Sequence, residues 1–490
     1  MMKPRLLLLA AGMAAALAAS GKTHAQAEQK PANVVLIMVD DLGFEALQCY
    51  GGGSYETPHL NKLASEGVRF TNCHATPLCT PSRVRVMTGK YSFRNFEHFT
   101  YLNSDETTFA DIARQQGYAT CVAGKWQLSK GANGKEPNGY GFDDYCVWYL
   151  KDRTGGRYAD PTISTKGTKE KVYQGQYGPD IFSDFICDFI EENKEGPFFA
   201  YYPMVLTHDP FVPTPDSEGG LYAKPPKGSK QRERQQGEFD ITKVKGSAFQ
   251  QQCFADMIAY TDKIVGKIIA KLEALNLREN TLVIFTSDNG SHPTSRTILD
   301  GKEWQGGKGR IHEFGTHVPL LVQWKGSIAG GGVCEDLIDF TDIFPTIAET
   351  INAPLSADNP INGISFMPQL LGVKGSPRDH LFLHYDPSHG KPGTIWGCAL
   401  TRFIRTEKWK LYNDGRLYDI VKDRTEQKAV PADAYPEVRL ELQKFLDAQP
   451  DIDTAVTPSV KRGTAMKGAA KTGTEAPRKR RRPKKASDDN

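Results

Sequence analysis

Short continuous apolar runs alternate along the chain with longer segments whose apolar residues recur at helical spacing. β-Branched and aromatic residues are frequent in the short runs, as in strands that are buried on both faces of a parallel sheet. This alternation predicts an α/β fold with a large, mostly parallel sheet flanked by helices. The predicted strands are residues 34–39, 119–123, 197–206, 282–286 and 318–324, and the predicted helices are residues 57–67, 79–88, 108–116, 180–193 and 249–277.

Polar and charged residues follow four of these predicted strands. The carboxyl ends of parallel strands share one edge of the sheet, and ligands bind beyond that edge in open α/β folds. We therefore expect residues that are far apart in the sequence to form one site there. The four strand ends are Asp40-Asp41, Gly124-Lys125, Thr207-His208 and Asp288-Asn289-Gly290.

The remaining segments predict long loops and a second, smaller unit. Residues 130–180 and 213–245 show no period and are rich in polar residues, which is typical of functional surface loops. The elements become shorter from residue 336 onward, which predicts a smaller α+β subdomain at residues 336–455 after a catalytic domain at residues 28–335. Its predicted elements are a helix at residues 336–351, antiparallel strands at residues 381–384 and 408–412, and a helix at residues 437–446.

The N-terminus has the features of a secretory signal peptide over residues 1–27. Lys3 and Arg5 precede an apolar run at residues 6–19, and Ala25-Gln26-Ala27 offers a small-residue cleavage site. The later sequence has no apolar run of the roughly 20 residues that a transmembrane helix needs. These features predict an exported protein, either periplasmic or secreted, without a transmembrane segment.

The net charge of +3 is distributed unevenly. The stretch from Lys461 to the end holds 11 Lys or Arg and 3 Asp or Glu, and a disordered basic tail is predicted at residues 456–490. With the positive N-terminus also set aside, the body carries a net charge of −8. A mildly acidic body does not fit a nucleic-acid-binding protein, so any recognition of anions must be local to a cleft.

The segment Cys79-Thr80-Pro81-Ser82-Arg83 predicts an anion site around a reactive side chain. Pro81 suits the first turn of a helix, and Gly89 suits its end. The N-terminus of a helix attracts anions and favours a thiolate, and Arg83 lies on the same helical face as Cys79. The alternative interpretation is an ordinary helix start with a buried cysteine.

Oxygen ligands after two of the strands predict a metal ion. Asp40, Asp41, Asp288 and Asn289 offer three carboxylates and one amide carbonyl. Such a set suits Ca²⁺ or Mg²⁺, whereas zinc would call for His or Cys. Taken alone, either pair of residues is equally typical of turns and helix caps.

The motif C-x-P-S-R followed by Gly89-Lys90 resembles the signature of the formylglycine-dependent sulfatases, which are type I, arylsulfatase-like members of the alkaline phosphatase superfamily. The segments Gly124-Lys125-Trp126, Gly306-Gly307-Lys308-Gly309 and Glu313-Phe314-Gly315 resemble further motifs of that family. The resemblance implies that a formylglycine-generating enzyme converts Cys79 to formylglycine, whose hydrate attacks the sulfur of a sulfate ester. It also implies an alkaline-phosphatase-like fold.

The same resemblance implies a role for each site residue. Calcium, with Mg²⁺ as the less favoured ion, would bind Asp40, Asp41, Asp288, Asn289 and the modified Cys79. Lys125 and Lys308 would bind sulfate oxygens, His208 would protonate the leaving alcohol, and Arg83 would position the hydrate. Further substrate contacts are expected from Gln127, Asp209, His317 and His384.

Two positions depart from the family pattern. Gln127 stands where the family has a His that helps to expel sulfate, and His317 stands where many relatives carry Arg. Glutamine donates hydrogen bonds but does not take up a proton at neutral pH. Either His208 or water therefore covers that step, or turnover is slower, or the substrate differs.

These observations predict an exported sulfatase that acts on a sulfated carbohydrate. The first alternative is a phosphate-ester or phosphonate hydrolase of the same superfamily, because a site with several cations accepts either anion. The second is a non-catalytic relative that binds polyanions, supported by Gln127 and the basic tail.

Overall fold

The computed structural model describes residues 31–131, 133–151, 155–168, 170–224, 247–386 and 400–450. The predicted signal peptide, the basic tail and most of the predicted loop at residues 213–245 lie outside these described residues. The strands are β1 Asn33–Val39, β2 Val68–His74, β3 Ala119–Lys125, β4 Asp144–Trp148, β5 Thr162–Thr165, β6 Lys171–Val172, β7 Phe198–Pro203, β8 Thr281–Ser287, β9 Arg296–Leu299, β10 Lys302–Gln305, β11 His317–Gln323, β12 Gly332–Asp339, β13 Leu381–Tyr385, β14 Thr401–Arg405, β15 Trp409–Tyr412 and β16 Leu417–Asp419. The α-helices are Pro58–Ser65, Cys79–Thr88, Ser92–Asn95, Phe109–Gln115, Gly178–Glu192, Ala248–Ala274, Glu313–Thr316, Ile343–Thr350, Met367–Leu370 and Pro436–Asp447.

Ten strands form one large sheet in the order β12-β2-β11-β8-β1-β7-β3-β4-β5-β6. Its centre, from β8 to β4, is parallel. On one side β11 runs antiparallel to both β8 and β2, and on the other side β5 runs antiparallel to β4. The α/β class and the flanking helices are confirmed, and the sheet is mixed at its edges.

Strand β1 shows why the central runs are apolar without interruption. Val34, Leu36 and Met38 pack into the core on one face of the sheet. Val35 and Ile37 pack into the core on the other face, which also includes residues of the helix Ala248–Ala274. Both faces of β1 are therefore dry, and the strand needs no polar face.

Two predictions about individual segments are wrong. Residues 130–180 include β4, β5 and β6, which extend the large sheet, so they are not one long loop. The helix predicted at residues 336–351 is the helix Ile343–Thr350, because residues 332–339 form β12, which pairs in parallel with β2. Pairing with β2 overrides local helix propensity here. The predicted domain boundary at residue 335 lies within this strand.

A second sheet, β13-β14-β15-β16, is antiparallel and covers the start of the Cys79 helix. Leu78 packs against Leu383, Phe403 and Tyr412 of this sheet. The predicted smaller antiparallel unit is therefore present, and it supports the residue directly before Cys79.

The helix Cys79–Thr88 is also held by a buried ion pair. Arg85 donates from Nε to Oδ1 of Asp339 at 3.1 Å and from Nη2 to Oδ2, and both side chains are at most 2% exposed. Asp339 lies at the end of β12 and also accepts a hydrogen bond from the backbone N–H of Thr341 at 2.8 Å. The pair therefore links the helix to the edge of the large sheet.

We expect the substitution Asp339→Asn to lower the free energy of unfolding by about 3 kcal/mol, because it leaves the buried Arg85 charge without its partner. Chemical denaturation monitored by circular dichroism measures the change. The matched control is Asp216→Asn, which breaks an ion pair with Lys263 that is more than half exposed on both sides and should cost less than about 1 kcal/mol. Equal losses in the two variants would contradict the prediction.

Candidate active site

The loops after β1, β7 and β8 are joined by backbone hydrogen bonds. Asp40 N–H donates to the carbonyl of Leu206 at 2.8 Å, and Thr207 N–H donates to the carbonyl of Asp40 at 2.7 Å. The N–H of Asp288 donates to the carbonyl of Val39 at 3.0 Å. These bonds bring the predicted polar strand ends to one place at the carboxyl edge of the sheet.

Cys79 begins its helix, with only intermediate exposure, while every later residue of that helix is buried. Gly89 ends the helix with φ 67°, a left-handed conformation that glycine adopts without strain. Arg83 is also buried, and its Nη2 donates to the carbonyls of Lys125 and Trp126, the latter at 3.0 Å. Arg83 thus fixes the chain that carries Lys125 and Gln127.

Two buried ion pairs neutralise the aspartates after β1. Lys125 Nζ lies 2.7 and 2.8 Å from the carboxylate oxygens of Asp40, and Lys308 Nζ lies 2.6 Å from Oδ2 of Asp41. Burial lowers the pKa of each lysine, but the adjacent carboxylates outweigh it, so that both pKa values are raised. Both lysines are therefore cations, as binding of an anionic ester requires.

The predicted metal ligands are assembled, and two of their oxygens have no partner. Ligand atoms of Asp40, Cys79 and Asp288 lie within 4.8 Å of one another. Asp288 Oδ2 and Asn289 Oδ1 are buried and make no hydrogen bond to any described residue. Burial and the neighbouring Asp40 carboxylate raise the pKa of Asp288. Such a crowded, under-satisfied set of oxygens fits a hard divalent cation.

His208 stands between two cations. Its Nε2 lies 3.0 Å from Lys308 Nζ and 3.7 Å from Oδ2 of Asp41. Its Nδ1 lies 2.8 Å from Nη2 of Arg157 and 2.7 Å from the carbonyl of Asp209. Burial, followed by the charges of Lys308 and Arg157, lowers the pKa of His208 well below its ordinary value. The imidazole is therefore neutral and fixed in orientation.

Arg157 was missed from the sequence. It lies in the segment predicted as a loop, and no motif surrounds it. Its guanidinium also packs over the ring of Trp148, 4.7 Å from the centroid. Only the pairing of β4 with β3, which brings Trp148 beside Lys125, places this region next to the site.

Gln127 follows the backbone that Arg83 holds, and Asp209 contacts His208; their predicted substrate contacts stay predictions. Gln127 has φ 52°, its N–H donates to the carbonyl of Tyr149 at 3.0 Å, and its Oε1 is buried without a partner among the described residues. Asp209 Oδ1 lies 3.1 Å from Nδ1 of His208 and 3.8 Å from Nε2 of His292.

His317 and His384 make their contacts elsewhere. His317 is buried, stacks on Phe44 with ring centroids 3.9 Å apart and forms a cluster with His74 and Glu313. His384 lies in β13, with its ring 5.8 Å from that of Phe93. Neither contact includes the lysines or aspartates described above, so the predicted substrate contacts of these two histidines gain no support.

Comparisons with known proteins agree with this geometry. A family profile described as "Sulfatase" matches residues 32–353, and one described as "N-sulphoglucosamine sulphohydrolase, C-terminal" matches residues 305–451. The chain belongs to the sulfatase family. Its members are sulfuric ester hydrolases of the alkaline phosphatase superfamily, so the expected enzyme class is confirmed.

Named relatives cover most of this sulfatase. An N-acetylgalactosamine-6-O-sulfatase of Bacteroides thetaiotaomicron is 27% identical over 87% of the chain and 94% of the relative. Human arylsulfatase A is 29% identical over 93% of the chain and 92% of the relative.

Solved structures share the fold. One, described as bound to its substrate D-glucosamine-2-N,6-O-disulfate, has a TM-score of 0.69 at 24% identity over 85% of this chain and 97% of its own. A phosphonate monoester hydrolase of Agrobacterium radiobacter has a TM-score of 0.61 at 22% identity, over 85% of this chain and 94% of its own. In the described part of the sulfatase, no helix combines the length and apolar character needed to cross a bilayer.

We expect a hard divalent cation to stabilise this sulfatase, because the folded state presents the oxygen cluster and the unfolded chain does not. A cation at a hundred times its dissociation constant should add about 2.7 kcal/mol to the free energy of unfolding. Differential scanning calorimetry with added Ca²⁺ or Mg²⁺, or with chelator, measures the shift.

The variant Asp288→Asn should lose most of that cation-dependent shift without being less stable in chelator, because it removes one of several crowded carboxylates. The matched control Asp414→Asn changes an exposed carboxylate and should keep the full shift. A shift that persists in Asp288→Asn would contradict the assignment of the ligands.

Proposed function

We propose that this sulfatase is exported and removes sulfate from a sulfated carbohydrate, with formylglycine at position 79 and a bound calcium ion. The observation that carries the proposal is the convergence at Cys79. The carboxylates of Asp40 and Asp288 and the thiol of Cys79 share one cluster, and Lys125 and Lys308 pair with the adjacent aspartates.

The implied groups fit the residues that are present. Asp40, Asp41, Asp288, Asn289 and residue 79 would hold the calcium ion. When present, formylglycine hydrate supplies the nucleophilic oxygen and calcium offsets negative charge at the sulfate. Lys125 and Lys308 would bind and orient the sulfate oxygens. Both lysines are buried at the cluster, so their positive charges are fixed in place and only weakly screened by water.

His208 would protonate the leaving alcohol. Its Nδ1 faces Arg157 and the carbonyl of Asp209, whereas its Nε2 faces Lys308. Nε2 is therefore the atom through which a proton would pass from the Lys308 ammonium to the alcohol oxygen of the ester. The buried guanidinium of Arg83 fixes the backbone of Lys125, so its role is to hold the sulfate-binding lysine in place.

A carbohydrate substrate is supported by the similar proteins. The bacterial relative is named for N-acetylgalactosamine-6-O-sulfate, and the structural neighbour was solved with a sulfated glucosamine. Export is supported by the basic and apolar pattern of residues 1–27. Maturation would require a formylglycine-generating enzyme as a transient partner.

We expect the peptide that contains residue 79 to carry an aldehyde in place of the thiol in active protein. Mass spectrometry of a proteolytic digest, with and without a hydrazide that captures aldehydes, is the measurement. The variant Cys79→Ala should lose activity by at least about 10⁴-fold while keeping its melting temperature, because no other side chain replaces the nucleophile. Active protein whose residue 79 is wholly cysteine would refute the proposal.

The phosphate-ester or phosphonate alternative is supported by the fold shared with the phosphonate monoester hydrolase. The charges of the site favour sulfate, because each of the two lysines is already paired with a carboxylate. A sulfate monoester brings one negative charge, and a phosphate monoester brings about two.

We therefore expect kcat/KM for 4-nitrophenyl sulfate to exceed that for 4-nitrophenyl phosphate by at least roughly tenfold, a difference of about 1.4 kcal/mol in the barrier. Steady-state kinetics on the two esters, which share one leaving group, give the ratio. A preference for phosphate or for a phenylphosphonate ester would favour the alternative function.

A further inference from the structure

A cavity of about 470 Å³ is lined by Arg157, which contacts Nδ1 of His208, whereas Lys308 contacts Nε2. It is lined by the end of β4, by the segment between β4 and β5 and by residues after β7, and its size falls within the range of small-molecule sites. Aromatic, apolar and cationic side chains share its walls. The lining residues used below are Trp148, Arg157, Tyr158, Leu221, Tyr222 and Lys224.

Arg157 forms the wall between this cavity and His208. Both of its hydrogen bonds to described residues leave from Nη2, one to Nδ1 of His208 and one to the carbonyl of Asp209. Nε and Nη1 are not used in those bonds. Arg157 is 6% exposed, and its guanidinium stacks on Trp148 and is fixed in place, so it presents a preorganised charge to the cavity.

The side chains that line the cavity carry a net positive charge. Arg157 and Lys224 are its charged side chains, and the lining residues that the structure describes include no aspartate or glutamate. Tyr222 is 58% exposed at the rim, and its hydroxyl donates to Oδ1 of Asp160 at 2.9 Å, which orients the ring. An oriented aromatic ring beside a cation suits a sugar ring that carries a carboxylate or sulfate.

We propose that this cavity binds a second anionic group of the substrate, carried by the sugar next to the sulfated one, through Arg157. Its carboxylate or sulfate would pair with Arg157 while the ring packs against Tyr222 and Leu221. The inference rests on the proposed carbohydrate sulfatase function and narrows its substrates to acidic oligosaccharides. Because Arg157 also contacts His208, the same guanidinium links recognition of the leaving group to the residue that protonates it.

The test measures binding separately from turnover. The probes are an unsulfated disaccharide of N-acetylgalactosamine and glucuronic acid, its carboxyl methyl ester, and the same ester with a sulfate on the uronic ring. Isothermal titration calorimetry gives the affinity of each for the holoenzyme. We expect at least one of the two anionic probes to bind at least about tenfold more tightly than the neutral ester, because hydrogen bonds to a charged group are strong. The probe that does so identifies the group.

The selectivity is the affinity for the anionic probe divided by the affinity for the neutral ester. The variant Arg157→Met should reduce this ratio to near one, and Arg157→Lys should retain part of it. Lys444→Met serves as the matched control, because Lys444 is an exposed lysine of the helix Pro436–Asp447, and it should leave the ratio unchanged. Melting temperatures of all variants confirm that they fold. Loss of the contact between Arg157 and His208 could weaken the binding of all probes equally. Such a general loss of affinity does not change the ratio.

A wild-type ratio near one for both anionic probes, or an unchanged ratio in Arg157→Met, would overturn the inference. Kinetics on the 6-sulfated disaccharide and its ester complete the test, because the same selectivity should appear in kcat/KM. Absence of hydrolysis of every sulfate ester would count against the proposed function, while the binding ratio would still decide the role of the cavity.

Discussion

The structure depends on neutralising the charge of three carboxylates that are buried at one edge of the sheet. Asp40, Asp41 and Asp288 are at most 1% exposed, and uncompensated charge at that depth would destabilise the fold. Lys125 neutralises Asp40 and Lys308 neutralises Asp41, which leaves Asp288 with an unpartnered oxygen beside residue 79. Two buried lysines, one from β3 and one from a distant loop, therefore offset two of the three negative charges. A cation would offset the charge of the third carboxylate.

The sequence was sufficient for the centre of the fold, because the central strands are buried on both faces. Continuous apolar runs such as residues 34–39 have no other stable location than a covered sheet. The polar residues that follow them then predict a site at the carboxyl edge. Cys79, Lys125, His208 and Asp288 were identified in this way, together with the resemblance to known motifs, and the structure brings all four together.

Elements whose stability comes from pairing were harder to predict. β12 includes partly exposed residues, and a helical pattern follows it directly, so only its pairing with β2 shows that it is a strand. The prediction for His317 had a similar weakness, because its position in a motif does not show that Glu313 and Phe44 hold its ring. The small sheet was predicted as part of a smaller α+β subdomain, and the sequence alone did not show that Leu78 joins its core to the start of the Cys79 helix.

Gln127 connects these findings to the chemistry. The backbone around it is held by Arg83 and by the carbonyl of Tyr149, so its position is fixed whatever its side chain. A glutamine side chain donates hydrogen bonds but, unlike the histidine of the family pattern, takes up no proton at neutral pH. In the proposed mechanism the proton of the leaving alcohol passes through His208, whose Nδ1 is in contact with Arg157 at the wall of the neighbouring cavity. A substrate that binds Arg157 would therefore also influence His208, one of the groups that could cover the step for which the family pattern has a histidine at position 127.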